Sequence, residues 1–190
     1  MYFRHSNKSA LRSQHRIADA LFSLMQRKSF QQITVTELCE EAEIGRKTFY
    51  RNFELKEDVV EFRLDDLCAR YKGEIQGMTV EGQLRHHLEF VHRNAEYFIA
   101  LYRNGFYQMA REKFAVLLPE TMPVWTDDPV EQQYRSQYIV AGIEAIEQVW
   151  VTRGFRESID EVVDIVSRAH ERQVPLCEGS YVRRTERISM

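Results

Sequence analysis

Residues 9–28, "SALRSQHRIADALFSLMQRK", contain no glycine or proline, and Leu11, Ala18, Leu21, Phe22 and Met25 recur at helical spacing. That period, repeated along a chain of 190 residues with only four prolines and eight glycines, leaves few places for long loops or sheet turns. It predicts an all-α chain that opens on a long amphipathic helix.

The next segments narrow the choice. "SFQQI" (29–33) breaks the period. In "TVTELCEEA" (34–42), Thr34 stands three residues before Glu37, the spacing of a capping box, and Val35, Leu38 and Ala42 give a short helix one apolar face. "EIG" interrupts again, and "RKTFYRNF" (46–53) starts a second short helix with Phe49 and Phe53 four residues apart. Two short helices joined by a tight turn and backed by a longer one form a helix-turn-helix. Any three-helix bundle would show the same periods. The difference lies in charge: Arg46, Lys47 and Arg51 have no acid among them between residues 44 and 53.

Charge is also uneven along the chain. Residues 1–56 carry ten Lys/Arg against six Asp/Glu, whereas residues 57–190 carry sixteen against twenty-three. A basic front and an acidic rear point to an anionic partner for the front alone. No run approaches the roughly 18 apolar residues of a membrane span. The opening residues lack the apolar core of a secretory signal, so a cytoplasmic protein is expected. Cys39, Cys68 and Cys177 show no C-x-x-C spacing and read as free thiols.

Beyond residue 56 the helical period resumes. Val60, Leu64, Leu67 and Tyr71 mark a connecting helix over about residues 56–76. "GMTVEG" (77–82) is the expected seam. Helices then run through Leu84, Leu88 and Val91, through "NAEYFIALYRNG" to Gly105, and through "FYQMAREKFAVLL". Asp128 and Pro129 open a long helix with the stripe Ile139, Ile143, Ile146 and Trp150, which ends at Gly154. Ser158 and Glu161 form a second capping box for a last helix, 158–172. This gives a helix-turn-helix domain at 1–56, a larger helical domain at 77–175 and a tail at 176–190.

"ITVTELCEEAEIGRKTFYRNFELKEDVV" resembles the DNA-binding signature of TetR-type (TetR/AcrR-like) bacterial transcriptional regulators. Three positions depart from that pattern. Glu43 stands where glycine is usual, in a turn that often needs a positive φ. Gly45 stands where serine or asparagine usually caps the second short helix, and Glu54-Leu55 replaces a frequent Pro-Ser. The resemblance implies a sequence-specific DNA-binding regulator, a repressor working as a homodimer on a palindromic operator and released by a small apolar or aromatic effector.

On that reading Arg46 and Lys47 reach guanine O6 and N7, and Thr48 reaches a phosphate or a thymine methyl. Tyr50 and Arg51 suit backbone oxygens, and Lys56 resembles the family's phosphate-binding lysine. Thr34 and Thr36 add hydroxyls to the same phosphates. For the rear, a two-chain four-helix bundle through Ala141, Ala145, Val149, Val162 and Val166 is expected. Tyr138, Ala141, Ala145 and Val149 lie off the main stripe of their helix and give it a second apolar side. The aromatics between residues 97 and 138 either fill a helical core or line a cavity. The resemblance favours a cavity, with Tyr102, Phe106, Trp125 and Tyr138 as candidate lining.

His86, His87 and His92 invite a metal site, but neighbouring histidines leave a helix on different faces, and 87 and 92 are five residues apart. No metal, cofactor or membrane partner is expected. With neither a P-loop nor a G-x-S-x-G motif, no enzyme is expected either. Two other readings keep the same residues. In one, the rear docks a protein partner instead of a small molecule; in the other, a helical enzyme uses the His86/His87/His92 region.

Overall fold

Asn7 opens the first helix: its Oδ1 accepts the Ser9 N–H at 2.9 Å, and α1 runs over Lys8–Arg27. The computed structural model describes residues 2, 7–75, 78–117, 124 and 126–171. A single 3-10 turn, Phe30–Gln32, fills the break after α1. Then come α2 (Val35–Glu41), α3 (Arg46–Asn52), α4 (Lys56–Glu74), α5 (Val80–Arg93), α6 (Ala95–Arg103), α7 (Tyr107–Leu117), α8 (Pro129–Thr152) and α9 (Ile159–Glu171). The described residues contain no strand, only one backbone bridge between Tyr2 and Phe53.

Most helix ends result from their capping residues. Asp128 accepts the Val130 N–H at 2.9 Å, and Pro129 takes the first helical position, where its missing N–H costs nothing. Ser158 and Glu161 form the full reciprocal box. The box at Thr34 is only half made. Thr34 Oγ1 accepts the Glu37 N–H at 3.2 Å, but the Glu37 carboxylate pairs with Lys28, the residue that caps the end of α1, instead of returning to residue 34. A full charge is the stronger partner for that carboxylate. α6 and α8 stop at Gly105 and Gly154, both at positive φ (81° and 73°). Beyond them the Phe106 N–H bonds Leu101 O and the Phe155 N–H bonds Trp150 O.

The chain divides into two compact units, Met1–Arg156 and Glu157–Met190. In the first, apolar side chains form two clusters. One gathers the inner faces of α1, α2 and α3 with Val59, Val60, Phe62 and Leu64 of α4, and it also takes in Ala100, Leu101 and Ala110 from α6 and α7. The other holds Leu67, Tyr71 and Ile75 of α4 with Phe90, Val91, Phe98, Phe114, Leu117, Val140 and Val151. α4 is thus the shared beam: its first half seals the front core and its second half the rear. Val60, Leu64, Leu67 and Tyr71, the stripe read from the sequence, are all fully buried.

In the second unit, α9 is the described helix; Val162 is buried, Val166 half-buried and Ile165 exposed. Cys39 and Cys68 are free thiols, while Cys177 lies outside the described residues. No helix among the described residues is long and apolar enough to cross a membrane.

A Cβ added at Gly105 would meet no atom within 4 Å, so a substitution there isolates the cost of the backbone conformation. Gly105→Ala is expected to lower the unfolding free energy by about 1 kcal/mol, read by urea denaturation.

Candidate DNA-binding surface

The turn between α2 and α3 sets the angle of the second short helix. α2 closes with the Ile44 N–H on Cys39 O at 2.9 Å and the Glu43 N–H on Glu40 O at 3.0 Å, which requires a left-handed residue at position 43. Glu43 adopts it, at φ 49°, although it is not glycine. Arg16 of α1 holds the turn from outside. Its Nη2 donates to Ala42 O at 2.8 Å and to Glu43 Oε2 at 3.0 Å. A glutamate here accepts some backbone strain and gains a tie to α1.

α3 begins at Gly45, whose carbonyl accepts the Thr48 and Phe49 N–H groups but which offers no side-chain cap. Phe49 and Phe53 then fasten the helix from beneath. Both are fully buried; their rings lie 5.9 Å apart, and Phe53 meets Phe62 of α4 at 5.8 Å. Asn52 is buried as well, and its side chain donates to Thr48 O at 2.7 Å. Tyr2 adds a further aromatic, edge-on to Phe62 at 5.4 Å, and its hydroxyl donates to Asp65 at 2.7 Å.

With the underside fixed, the other face points outward. Arg46, Lys47 and Arg51 are exposed, Tyr50 is about half exposed (48%), and Thr48 is half-buried. Thr34 and Thr36 are exposed at the start of α2. Three acids of α2 and its turn are occupied elsewhere: Glu37 by Lys28, Glu41 by Arg27 and Glu43 by Arg16. Among the described residues no carboxylate pairs with Arg46, Lys47 or Arg51. Three cations and a phenol therefore project from one short rigid helix, which is what contact with phosphates and base edges requires.

Lys56 departs from its expected part as a phosphate contact. It is half-buried, and its ammonium donates to Phe30 O at 2.7 Å and Ile33 O at 2.9 Å while sitting 4.2 Å over the Phe30 ring. These carbonyls, one at the start of the 3-10 turn and one just past it, draw it inward, so it staples α4 to the segment before α2. The start of α4 is held by Asp58, which accepts the N–H groups of Glu54 and Leu55 at 3.0 Å each.

The rear candidates separate. Phe106 meets Phe30 edge-on at 4.7 Å and packs against the front core. It belongs to the junction between front and rear, where Asn104 accepts the Phe30 N–H at 2.7 Å and Gln26 donates to Glu96 O at 2.6 Å. Tyr138 is exposed on α8, on the side that also shows Ala141, Ala145 and Val149, and so lines no interior. Trp125 lies outside the described residues. Tyr102 alone of the four faces a buried polar group, donating to Glu147 at 3.1 Å. Sequence reasoning missed that partner. Its signal was two glutamates, Glu144 and Glu147, one turn apart on the otherwise apolar side of α8. The three histidines diverge: His87 meets Glu147, His86 lies beside Glu74, and His92 stacks on Trp150.

Residues 17–61, from the middle of α1 into α4, match the family model described as bacterial regulatory proteins, tetR family. Over that segment the chain is a tetR-family domain. Solved structures share the fold of the chain well beyond the matched segment. The fatty acid degradation regulator FadR from Bacillus halodurans is similar with a TM-score of 0.65 at 15% identity, over 87% of this chain and 96% of that one. The dihydroxyacetone kinase operon activator DhaS gives 0.58 at 21% identity, over 84% and 92%. FadR from Bacillus subtilis, solved in complex with stearoyl-CoA, gives 0.55 at 14% identity, over 83% and 95%. No curated protein matches the chain significantly.

The two faces of α3 should separate in mutants of this TetR-family head. Phe49→Ala is expected to cost about 3–5 kcal/mol of stability. Tyr50→Ala should change it by no more than about 0.5 kcal/mol while weakening DNA binding. Chemical denaturation and gel shift read the two effects independently.

Proposed function

We propose that this regulator is a repressor that binds a palindromic operator as a homodimer and leaves it when a small molecule occupies the rear helices. The observation that carries the reading is the unmasked cationic face of α3 above a fully buried aromatic underside. Arg46 and Lys47, at the start of that helix, read base edges in the major groove. Tyr50, Arg51 and the hydroxyls of Thr34, Thr36 and Thr48 hold the flanking phosphates. The protein acts in the cytoplasm, where the DNA is, and it catalyses no reaction.

One head of this size makes few contacts, so two heads must act a helical turn apart. α8 supplies the means. Val130, Tyr134, Tyr138, Ala141, Ala145 and Val149 succeed one another at steps of three or four residues, and all are exposed. The opposite side of α8 carries Val140, Ile143, Trp150 and Val151, which are buried. A bare apolar stripe on a helix that is already packed on its other side suits the same stripe of a second copy. Ala145→Glu is expected to shift the protein to monomer in sedimentation velocity and to weaken operator binding with it. A dimer that survives the substitution would place the interface elsewhere.

Release results if the effector binds a rear arrangement that misplaces the heads, because a ligand shifts an equilibrium only by its difference in affinity for the two states. That stearoyl-CoA occupies a neighbour with this fold supports a rear able to take a small molecule. Another neighbour is an operon activator, so repression is tested by deleting the gene and measuring transcription of adjacent genes, which should rise. DNA binding is tested by gel shift on the gene's own upstream DNA across a salt series. The logarithm of affinity should fall with the logarithm of salt by about 0.9 per phosphate neutralised. Arg46→Ala combined with Lys47→Ala should weaken specific binding at least about tenfold. Unchanged binding would remove α3 as the reading helix.

A further inference from the structure

Away from the DNA-binding surface, buried polar groups gather among α4, α5, α6, α7 and α8. His87 Nε2 lies 2.8 Å from Glu147 Oε2, and Tyr102 Oη donates to Glu147 Oε1 at 3.1 Å. Arg111 Nε donates to Glu144 Oε2 at 3.1 Å. Tyr71 meets the His87 ring edge-on at 5.5 Å, and Phe114 lies against both, at 5.7 and 6.0 Å. Tyr107 stacks obliquely on Tyr102 at 4.7 Å.

Three buried atoms of this group have no hydrogen-bond partner among the described residues: His87 Nδ1, Glu144 Oε1 and Tyr71 Oη. Two of the three are acceptors, and the Tyr71 hydroxyl can donate or accept. A neutral imidazole that gives its Nε2–H to Glu147 leaves Nδ1 as a bare acceptor. Glu144 Oε1 is an acceptor too, so two unpaired acceptors face a single unpaired donor, the Tyr71 hydroxyl. Charge points the same way, since two buried carboxylates face one guanidinium, and the Arg111 side chain is half exposed. Burial pushes the Glu144 carboxyl above its usual range. Burial and the Glu147 charge raise the phenols of Tyr71 and Tyr102. A trapped water would supply donors but no positive charge.

We propose that this cluster recognises an organic cation, a protonated amine that donates to Glu144 Oε1 and His87 Nδ1 with its aromatic or apolar body against Tyr71, Tyr102 and Phe114. Aromatic faces beside a carboxylate attract cations for electrostatic reasons. Arg111 holds the other oxygen, Glu144 Oε2, and its charge competes with such a ligand for the same carboxylate. The proposal rests on the reading of the rear helices as the effector-binding part, and it names the chemistry of that effector.

Calorimetric titration of the full-length protein tests it with probes matched in shape: phenethylamine, the neutral 2-phenylethanol and the anionic 3-phenylpropionate, with stearoyl-CoA as a large anion. The amine is expected to bind and its neutral and anionic counterparts are not. Glu144→Gln should weaken the amine about ten- to a hundredfold, with circular dichroism verifying the fold. Arg111→Ala removes the competing cation and should tighten amine binding, which keeps the test decisive if Glu144→Gln does not fold. Equal binding of the neutral or anionic counterpart, no amine binding at millimolar concentration, or weaker amine binding by Arg111→Ala would overturn the proposal. Gel shift with each probe separates the two readings. Amine binding that leaves the operator complex intact removes release but keeps the cation site. Release by stearoyl-CoA that is indifferent to Glu144→Gln keeps release and removes the cation site.

Discussion

The burial of Phe49 and Phe53 beneath α3 is the interaction on which the rest of the front depends. Seven residues are too few for a helix to hold itself in water, because nucleation costs more than so few backbone bonds return. Tertiary packing must supply the difference. Two fully buried phenylalanines, each worth roughly 1.5–3 kcal/mol on burial, are of the right size to do so. They also settle direction: once positions 49 and 53 point inward, 46, 47, 50 and 51 have only the outside left. Arg16, Arg27 and Lys28 take up Glu43, Glu41 and Glu37, so these acids of α2 and its turn do not mask the cations of α3.

The head is not suspended on a linker. α4 contributes to both apolar clusters of the first unit, and Ala100, Leu101 and Ala110 enter the front core from α6 and α7. Arg63 of α4 pairs with Asp19 of α1 and lies over the Tyr97 ring of α6 at 4.7 Å. Lys113 of α7 donates to Asp65 at 2.5 Å, the same carboxylate that holds Tyr2. A displacement of α6 or α7 must therefore move packed side chains of the front. Close-packed interiors transmit such changes because they have no slack to absorb them.

Much of this was legible in the sequence, for local reasons. Helices α1 to α9 arise from apolar spacing and from capping residues, since both act within a few positions along the chain. The exposed cations of α3 were legible because the inward phenylalanines leave them no other side. Lys56 and Phe106 were not, because Lys56 is placed by the carbonyls of Phe30 and Ile33 and Phe106 by the Phe30 ring, all far away in sequence. Nor was the group of His87, Tyr102, Arg111, Glu144 and Glu147, which is drawn from four helices and has no spacing of its own. Glu37 shows the same limit on a small scale: its local partner at residue 34 loses to Lys28, the residue just past the end of α1.

The most direct measurement is dimethyl sulfate footprinting on the upstream DNA, because the reagent methylates guanine N7 in the major groove and adenine N3 in the minor groove. If α3 lies in the wide groove, guanines are protected at N7 in two patches about ten base pairs apart, and the protection is lost with Arg46→Ala and Lys47→Ala. Protection confined to adenine N3, or a footprint indifferent to those two residues, would mean that some other surface meets the DNA.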